Sequence, residues 1–502
     1  MRCLLQLLTP YLEITMKYLS LTLLLFISFN AVAQELSTPL NISRLVGTER
    51  PPIMHTGPDG TLYISWIKAS LNGGDIFLAV STDKGHSFST PSKVTDSAKV
   101  IPDFQRGGEF AIDSKNNIHM TWIESRVNNQ QDVWYSRSTD RGASWTEPVA
   151  ISNDPNYDQD YHSIACDSND RIYVSFLDKR EMEIGSSKEK QLYLTLSTDG
   201  GSTWSADKRI THYSSGVGGT CDCCKQDIAV SPDGDVYVAY RSNINNQRDI
   251  HIARSTDAGM TFEPPILIQT SPWIVSACPV SGPNVALDKN EDLHVVWRDA
   301  RDAVGTPKLY YAKLPKNSTS IPENIMFSGD AMQPDWPDVC AYNYGEAVAV
   351  VYQTFFDGMK YLLFNKDMTK ELVLPVDTTD SKKTLAQVVF ANDGTRYIAW
   401  TDDRNDNGDI FFVRDTASLA SLDVRAIKPS SHGSMSTVVK IGEKIKIAEE
   451  NVRLVLIRDV SGREIASYKE NSFIIPNIAV GVYLVTTTTD KQVNNTKIII
   501  IK

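Results

Sequence analysis

Three cysteines of this 502-residue chain stand in one tetrapeptide, Cys221-Asp222-Cys223-Cys224, and Cys278-Pro279 follows in the corresponding place one repeat later. Thiolates at that density suit a soft metal such as Cu(I) or Zn. In an exported chain the same sulfurs, with Cys166 and Cys340, pair as disulfides instead. Both readings stay open on the sequence. A second set of chemistry-bearing residues is the series Lys68 to Asp75, Glu124-Ser125-Arg126, Asp178-Lys179-Arg180, Arg241-Ser242-Asn243, Arg298-Asp299-Ala300-Arg301 and Asp402-Asp403-Arg404. Alternating carboxylates and guanidiniums can clamp an anionic sugar, because arginine offers a planar fork to a carboxylate or phosphate. Recurrence argues that most of them are internal ion pairs, so the arginines outside the repeat pattern, Arg50, Arg106 and Arg241, are the stronger site candidates. Asp403-Arg404-Asn405-Asp406-Asn407-Gly408 copies the start of a calcium loop, but Arg414 occupies the position where such a loop has Glu, which favours a hairpin turn over a calcium site. The sequence has no Gly-rich phosphate loop, His-Glu-x-x-His or nucleophile elbow.

Four copies of one turn, S-T-D-x-G-x-[ST]-[WF], position these loops: Ser81 to Phe88, Ser138 to Trp145, Ser197 to Trp204 and Ser255 to Phe262. In each, Ser and Asp can bond backbone N–H groups, Gly supplies a positive φ, and the last aromatic can plug the space beneath. The aspartates Asp83, Asp140, Asp199 and Asp257 follow one another at 57, 59 and 58 residues, a period that marks a propeller with one strand-rich unit per repeat. Each turn follows two strand runs, for instance Thr61 to Trp66 then Asp75 to Val80. The same pair recurs without the turn at Leu293 to Trp297, Ala347 to Tyr352 and Arg396 to Trp400 with their partners. With an innermost and a short fourth strand added, the sequence predicts an all-β, seven-bladed propeller over residues 36–417, six blades being the alternative. Leu40 to Val46 is placed to supply the last blade's fourth strand and close the ring. The turn aspartates are then structural, and the site belongs on the opposite face, where the loops between second and third strands lie.

The four turns and their period resemble the Asp-box (bacterial neuraminidase repeat) proteins of the sialidase superfamily. That resemblance implies a glycan-binding or glycan-cleaving propeller, with an arginine triad for a substrate carboxylate, an aspartate acid/base and a tyrosine nucleophile activated by a glutamate. Glu49-Arg50-Pro51-Pro52 resembles the family's first-blade start, which puts Arg50 at the first arginine position. Asp75 is the candidate acid, although the arginine that precedes it in the family is absent from Lys68 to Asp75. Arg241 and Arg298 can complete the triad, and Tyr342 or Tyr352, with Glu346 near in sequence, can be the nucleophile. The rival expectation is a non-catalytic surface platform whose cysteines are structural or hold a metal.

A formal net charge of -11, from 50 basic and 61 acidic residues, argues against nucleic-acid or anionic-membrane partners. Residues 1–33 read as a signal peptide, with Lys17, an apolar run from Leu19 to Phe29 and Ala31-Val32-Ala33 as cleavage pattern; translation can begin at Met16. No later apolar run is long enough to cross a bilayer. From residue 418 the composition changes, and a second domain of 418–502 begins. Asp459-Val460-Ser461-Gly462-Arg463, Gly481-Val482-Tyr483 and the Lys-ended last strand resemble the C-terminal sorting domain of the type IX secretion system, a small immunoglobulin-like β-sandwich. The resemblance implies that machinery as a partner and a cell-surface or extracellular location.

Overall fold

The computed structural model describes residues 36–416, apart from 45–46, 97–98, 103–106, 127–129, 155, 184–188, 212–217, 302–305, 321–322, 330, 332, 356–357, 365–369 and 378, and the strands between 437 and 501. For Arg50, residues 370–375 and the later strands the backbone course is what is described. Residues 1–33, read above as a signal peptide, Arg106 and the 428–434 stretch lie outside these residues.

Seven sheets of antiparallel strands make seven blades. Blade one is Glu49–Thr56, Leu62–Ser70, Gly73–Ser81 and Ser92–Lys93 from the inside outward, and the pattern repeats in order. In blade seven, Lys383–Phe390, Arg396–Asp402 and Asp409–Asp415 are followed by Leu40–Asn41, which pairs Leu40 with Phe412. The ring is therefore closed by the N-terminal strand, which leaves no free sheet edge at the join. Six blades would leave one strand pair as an insertion; each of the seven pairs instead has its own inner strand.

The apolar residues of each second strand build the core between blades. Trp66, Trp122, Trp297 and Trp400 are fully buried at one repeating position, held in the other blades by Phe176, Tyr240 and Tyr352. Burying an indole leaves an N–H to satisfy, and in three of the four blades a loop carboxylate does so: Trp122 donates to Glu124 at 3.0 Å, Trp297 to Asp299 at 2.9 Å and Trp400 to Asp402 at 2.8 Å. Carboxylates at this loop position also hold arginines in three blades. Arg180 donates to Asp178 at 2.7 Å, Arg301 to Asp299 at 3.0 Å and Arg404 to Asp402 at 3.0 Å, each guanidinium lying over an aromatic of the third strand at 4.0 to 4.5 Å. The Asp-x-Arg loops are blade fasteners.

The four S-T-D-x-G turns share one geometry. In the first, Ser81 Oγ donates to Asp83 at 2.8 Å and accepts from Gly85 N at 2.9 Å, while Asp83 accepts from Ser87 N at 2.9 Å and Ser87 Oγ at 2.6 Å. The third glycine, Gly201, has φ +84 and no room for a side chain, since a Cβ would lie 1.9 Å from Tyr135 Oη.

Residues from Asp423 onward form a separate unit. It has a five-stranded sheet, in which Thr437–Lys440 runs parallel to Val493–Ile501 and the other pairs are antiparallel, and a two-stranded sheet of Lys444–Lys446 and Ser472–Ile474. No helix among the described residues is long and apolar enough to cross a membrane.

Candidate functional site at the channel mouth

Strand register fixes which end of the channel is which. In blade one Glu49 pairs with Lys68 and Lys68 with Asp75, whereas Thr56 pairs with Leu62 and Leu62 with Ser81, the first residue of the S-T-D-x-G turn. The inner strands thus begin at the face opposite those turns. One residue of each inner strand stands opposite the residue before the conserved-position aromatic: Ile53, Glu109, Ser163, Asp227, Asn284, Asp338 and Gln387. These seven form a ring; most are polar, and five of them bond across to an adjacent blade. Ser163 donates to Asp227 at 3.1 Å, Asp227 accepts from Val285 N at 2.9 Å and Asn284 donates to Pro337 O at 2.9 Å. Asp338 accepts from Val388 N at 2.8 Å, and Gln387 from Met54 N at 2.7 Å.

Two residues before each ring position lies a rim: Pro51, Gly107, Tyr161, Lys225, Gly282, Trp336 and Leu385. Here the inner strands bulge. The register breaks between Arg50 and Ile53, Asp160 and His162, Asp335 and Asp338, and Thr384 and Gln387. Tyr161, Trp336 and Leu385 take φ +42, +50 and +54, a conformation that is costly for large side chains and gathers at functional sites. Gly282 is required for space, since a Cβ there would meet Lys225 O at 1.9 Å.

Between rim and ring is a cavity of about 80 Å³ bounded by residues of six blades, including Glu109, Lys225, Trp336, Asp338 and Gln387. That is room for roughly five waters, so a sugar ring must rest on the rim with one substituent entering. Lys225 Nζ bonds Glu109 Oε1. Burial pushes the carboxyls of Glu109 and Asp227 up, and that of Asp338 to about 8, with the charge of Asp227 adding to it. Against the cost of its own burial, Lys225 is held above the usual lysine value by Glu109 and Asp227. Burial and Lys225 together push His55, in the first inner strand, down to about 4. Burial thus disfavours the ionised form of Asp338, which lies beside the Glu109–Lys225 pair.

The residues singled out from the sequence lie elsewhere. Arg50 pairs with Ile67 through its backbone at the channel end of blade one, and its side chain is outside the described atoms. Arg241 is 1 % exposed and donates four N–H groups to main-chain carbonyls: Arg248 O at 2.8 Å, Arg298 O at 2.7 Å and Ser281 O at 3.1 and 3.3 Å. Trp273 lies under it, 5.1 Å from ring centre to guanidinium. Arg298 faces Asp335 at 3.4 Å. Asp75 pairs with Lys93 of the outer strand at 3.1 Å and meets Thr95 Oγ at 3.4 Å. Asp132 with Ser152 and Asp249 with Gln269 repeat that latch in later blades. Tyr342 follows the inner strand of blade six, at the S-T-D-x-G end, and donates to Asn392 O at 3.0 Å. Arg241 and Arg298 are thus brought together, and Asp75 and Tyr342 are not brought to them.

Of the cysteines, Cys223 and Cys278 form a disulfide, while Cys166, Cys221, Cys224 and Cys340 are free. The sulfurs of Cys221, Cys223 and Cys224 lie within 4.8 Å of one another. As they stand, two thiols, Cys221 and Cys224, are available to a metal, and Arg248 Nη1 donates to Cys221 Sγ at 2.9 Å. A cation already beside that sulfur opposes a second one. Asp406, in the calcium-like loop, accepts from Gly47 N at 2.9 Å and Gly408 N at 3.1 Å, as a turn aspartate does.

No family model and no curated protein matches the chain. Among solved structures it is similar to a Hadza microbial sialidase, at 15 % identity and TM-score 0.45, over 64 % of this chain and 66 % of that one. It is also similar to a protein of unknown function from Dyadobacter fermentans, at 13 % identity and TM-score 0.46, over 76 % and 98 %. A third similarity is to a family PL25 ulvan lyase, at 12 % identity and TM-score 0.49, over 78 % and 97 %.

Proposed function

We propose that this chain is an exported, glycan-acting propeller and that its ligand rests on the channel-mouth rim, against Trp336, with one substituent reaching the ring. The observation that carries this is the cavity itself: a buried carboxyl, Asp338, whose ionised form burial disfavours, beneath a strained aromatic rim. A protonated carboxyl in a sheltered site is what a general acid at a glycosidic oxygen requires, and Asp227 and Glu109 place two further carboxyl groups near it. The described charges of the cavity favour a neutral sugar. Among the described side chains that line it, Lys225 is the one cation, and it is already bonded to Glu109. Sialic acid is the less suited ligand on that ground. The Asp-box resemblance supports the glycan class, and the signal peptide and sorting-domain resemblance support delivery to the cell surface through the type IX machinery.

The alternative is a non-catalytic platform in which Arg241, Arg298 and the cysteine cluster only shape the surface; the four carbonyl bonds of Arg241 favour it. A glycan array, with fluorogenic neutral glycosides and a sialoside in parallel, separates the readings. Neutral-glycan binding lost in Trp336→Ala, with turnover lost at least about 100-fold in Asp338→Asn, supports the acid role. Binding without turnover supports the platform, and no binding to any glycan overturns both.

A further inference from the structure

The cysteine cluster has a construction that the channel site does not explain. Cys221 and Cys224 are buried at the start of blade four, spaced C-x-x-C in a turn closed by Cys224 N to Cys221 O at 3.2 Å. Their sulfurs lie 3.3 Å apart. Cys221 Sγ is also 3.5 Å from Cys223 Sγ, which is one half of the disulfide to Cys278. Cys278 is exposed, in the connection between blades four and five. As a thiol Cys221 donates to Cys224 Sγ and accepts from Arg248 Nη1 at 2.9 Å, so on losing its proton it becomes a thiolate that both Cys224 and Arg248 face. The hydrogen bond from Cys224 holds the Cys221 thiol down at about 6, with help from Arg248 and Arg241, while burial pushes Cys224 up.

We propose that these four cysteines form a redox site in which the Cys221–Cys224 dithiol exchanges with the Cys223–Cys278 disulfide and so presents Cys278 as an exposed, modifiable thiol. In the first step the Cys221 thiolate attacks Cys223 Sγ, the Cys221–Cys223 bond forms, and the Cys223–Cys278 bond breaks. Cys278 leaves as a thiolate and takes a proton from water. In the second, Cys224 gives up its proton and attacks Cys221 Sγ, forming the Cys221–Cys224 disulfide and releasing Cys223 as a thiolate, which is protonated in turn. One disulfide and two thiols stand on each side, so the exchange needs no outside oxidant. The connection tied by Cys278 carries Trp273 beneath Arg241 and Ser281, whose carbonyl accepts from it, so the exchange decides whether that segment is covalently fastened.

The test is maleimide labelling of the folded, full-length protein purified without reductant, followed by peptide mapping and metal analysis. The expected result is time-dependent labelling at Cys278 with a Cys221–Cys224 linkage in the labelled molecules. Labelling should slow at least about tenfold in Cys221→Ser, and several-fold in Arg248→Gln, which keeps every sulfur. Cys224→Ser should still label at Cys278 but carry Cys221–Cys223. Absence of Cys278 labelling in the folded wild type, equal labelling in Cys221→Ser, or one tightly bound zinc or copper per chain masking the thiols would each overturn the proposal.

Discussion

The two ends of the propeller are built on opposite plans. At one end the S-T-D-x-G turns repeat the same hydrogen bonds almost to a tenth of an ångström: Ser Oγ to Asp at 2.8, 2.8, 2.8 and 2.7 Å in blades one to four. At the other end each blade departs from its neighbours. The ring position is Ile, Glu, Ser, Asp, Asn, Asp and Gln in order, and the rim holds proline, glycine, lysine and large residues with positive φ. The repeated end consists of groups that complete each other locally. The varied end holds groups completed by another blade, and there burial disfavours the ionised form of a carboxyl. Repetition marks what every blade needs, and departure from it marks what the molecule does once.

The largest effect should come from breaking the repeated end by space. Gly201→Ala places a Cβ 1.9 Å from Tyr135 Oη at a positive φ and should cost about 3 kcal/mol or more in a denaturant titration. Gly60→Ala has a comparable φ of +81 but nothing within 4 Å, and should cost only the conformational term of about 1 to 2 kcal/mol. A difference below 1 kcal/mol between the two would mean that the turn yields. Next, Asp140→Ala removes the acceptor for Ser144 N at 2.8 Å and Ser144 Oγ at 2.5 Å, and should lower stability by about 1 to 3 kcal/mol without altering glycan binding.

The two ends should also respond oppositely to pH. The hydrogen bonds from Ser87 and Thr203 hold Asp83 and Asp199 at about 2, so their contribution is present above the ordinary carboxylate range and is lost as pH falls from about 4 toward 2. Asp338 keeps its proton in the folded state to about 8, against 3.8 for an ordinary aspartate, so the folded state binds more protons and stability declines as pH rises between those values. Melting curves across pH should show the upper slope flattened in Asp338→Asn and the acid limb unchanged. An unaltered upper slope would mean that Asp338 is ionised. The smallest effect is expected at the outer latch, where Thr95→Val removes the acceptor for Ile76 N at 3.0 Å and should cost about 1 kcal/mol.

The channel ring was more legible than the search for arginines allowed. In six blades its residue precedes the second-strand aromatic by 13 positions, as Glu109 does Trp122 and Asp227 does Tyr240, and in blade six, with Asp338 and Tyr352, by 14. A charged residue at that offset inside an otherwise apolar strand was a usable signal. Asp75 shows the converse: its repeat partners Asp132 and Asp249 mark it as a latch. For Arg241 no such signal existed, because a guanidinium that meets a substrate and one that meets three backbone carbonyl oxygens have the same local sequence.

By itself the sequence determined the blade period, the strand order, the closing strand and the face that the S-T-D-x-G turns occupy. Those features rest on interactions within about ten residues or on strand alternation, and both are written in residue order. Only the tertiary structure decided which charges meet. Glu109 and Lys225 are 116 positions apart and Asp338 lies 111 beyond Asp227 on the chain, and closing the ring brings inner strands from all seven blades around one channel. The shift of Asp338 depends on water excluded by six blades at once, and the approach of Cys221 to the Cys223–Cys278 bond depends on a connection from the next blade. Burial and cross-blade contact of that kind have no local signature.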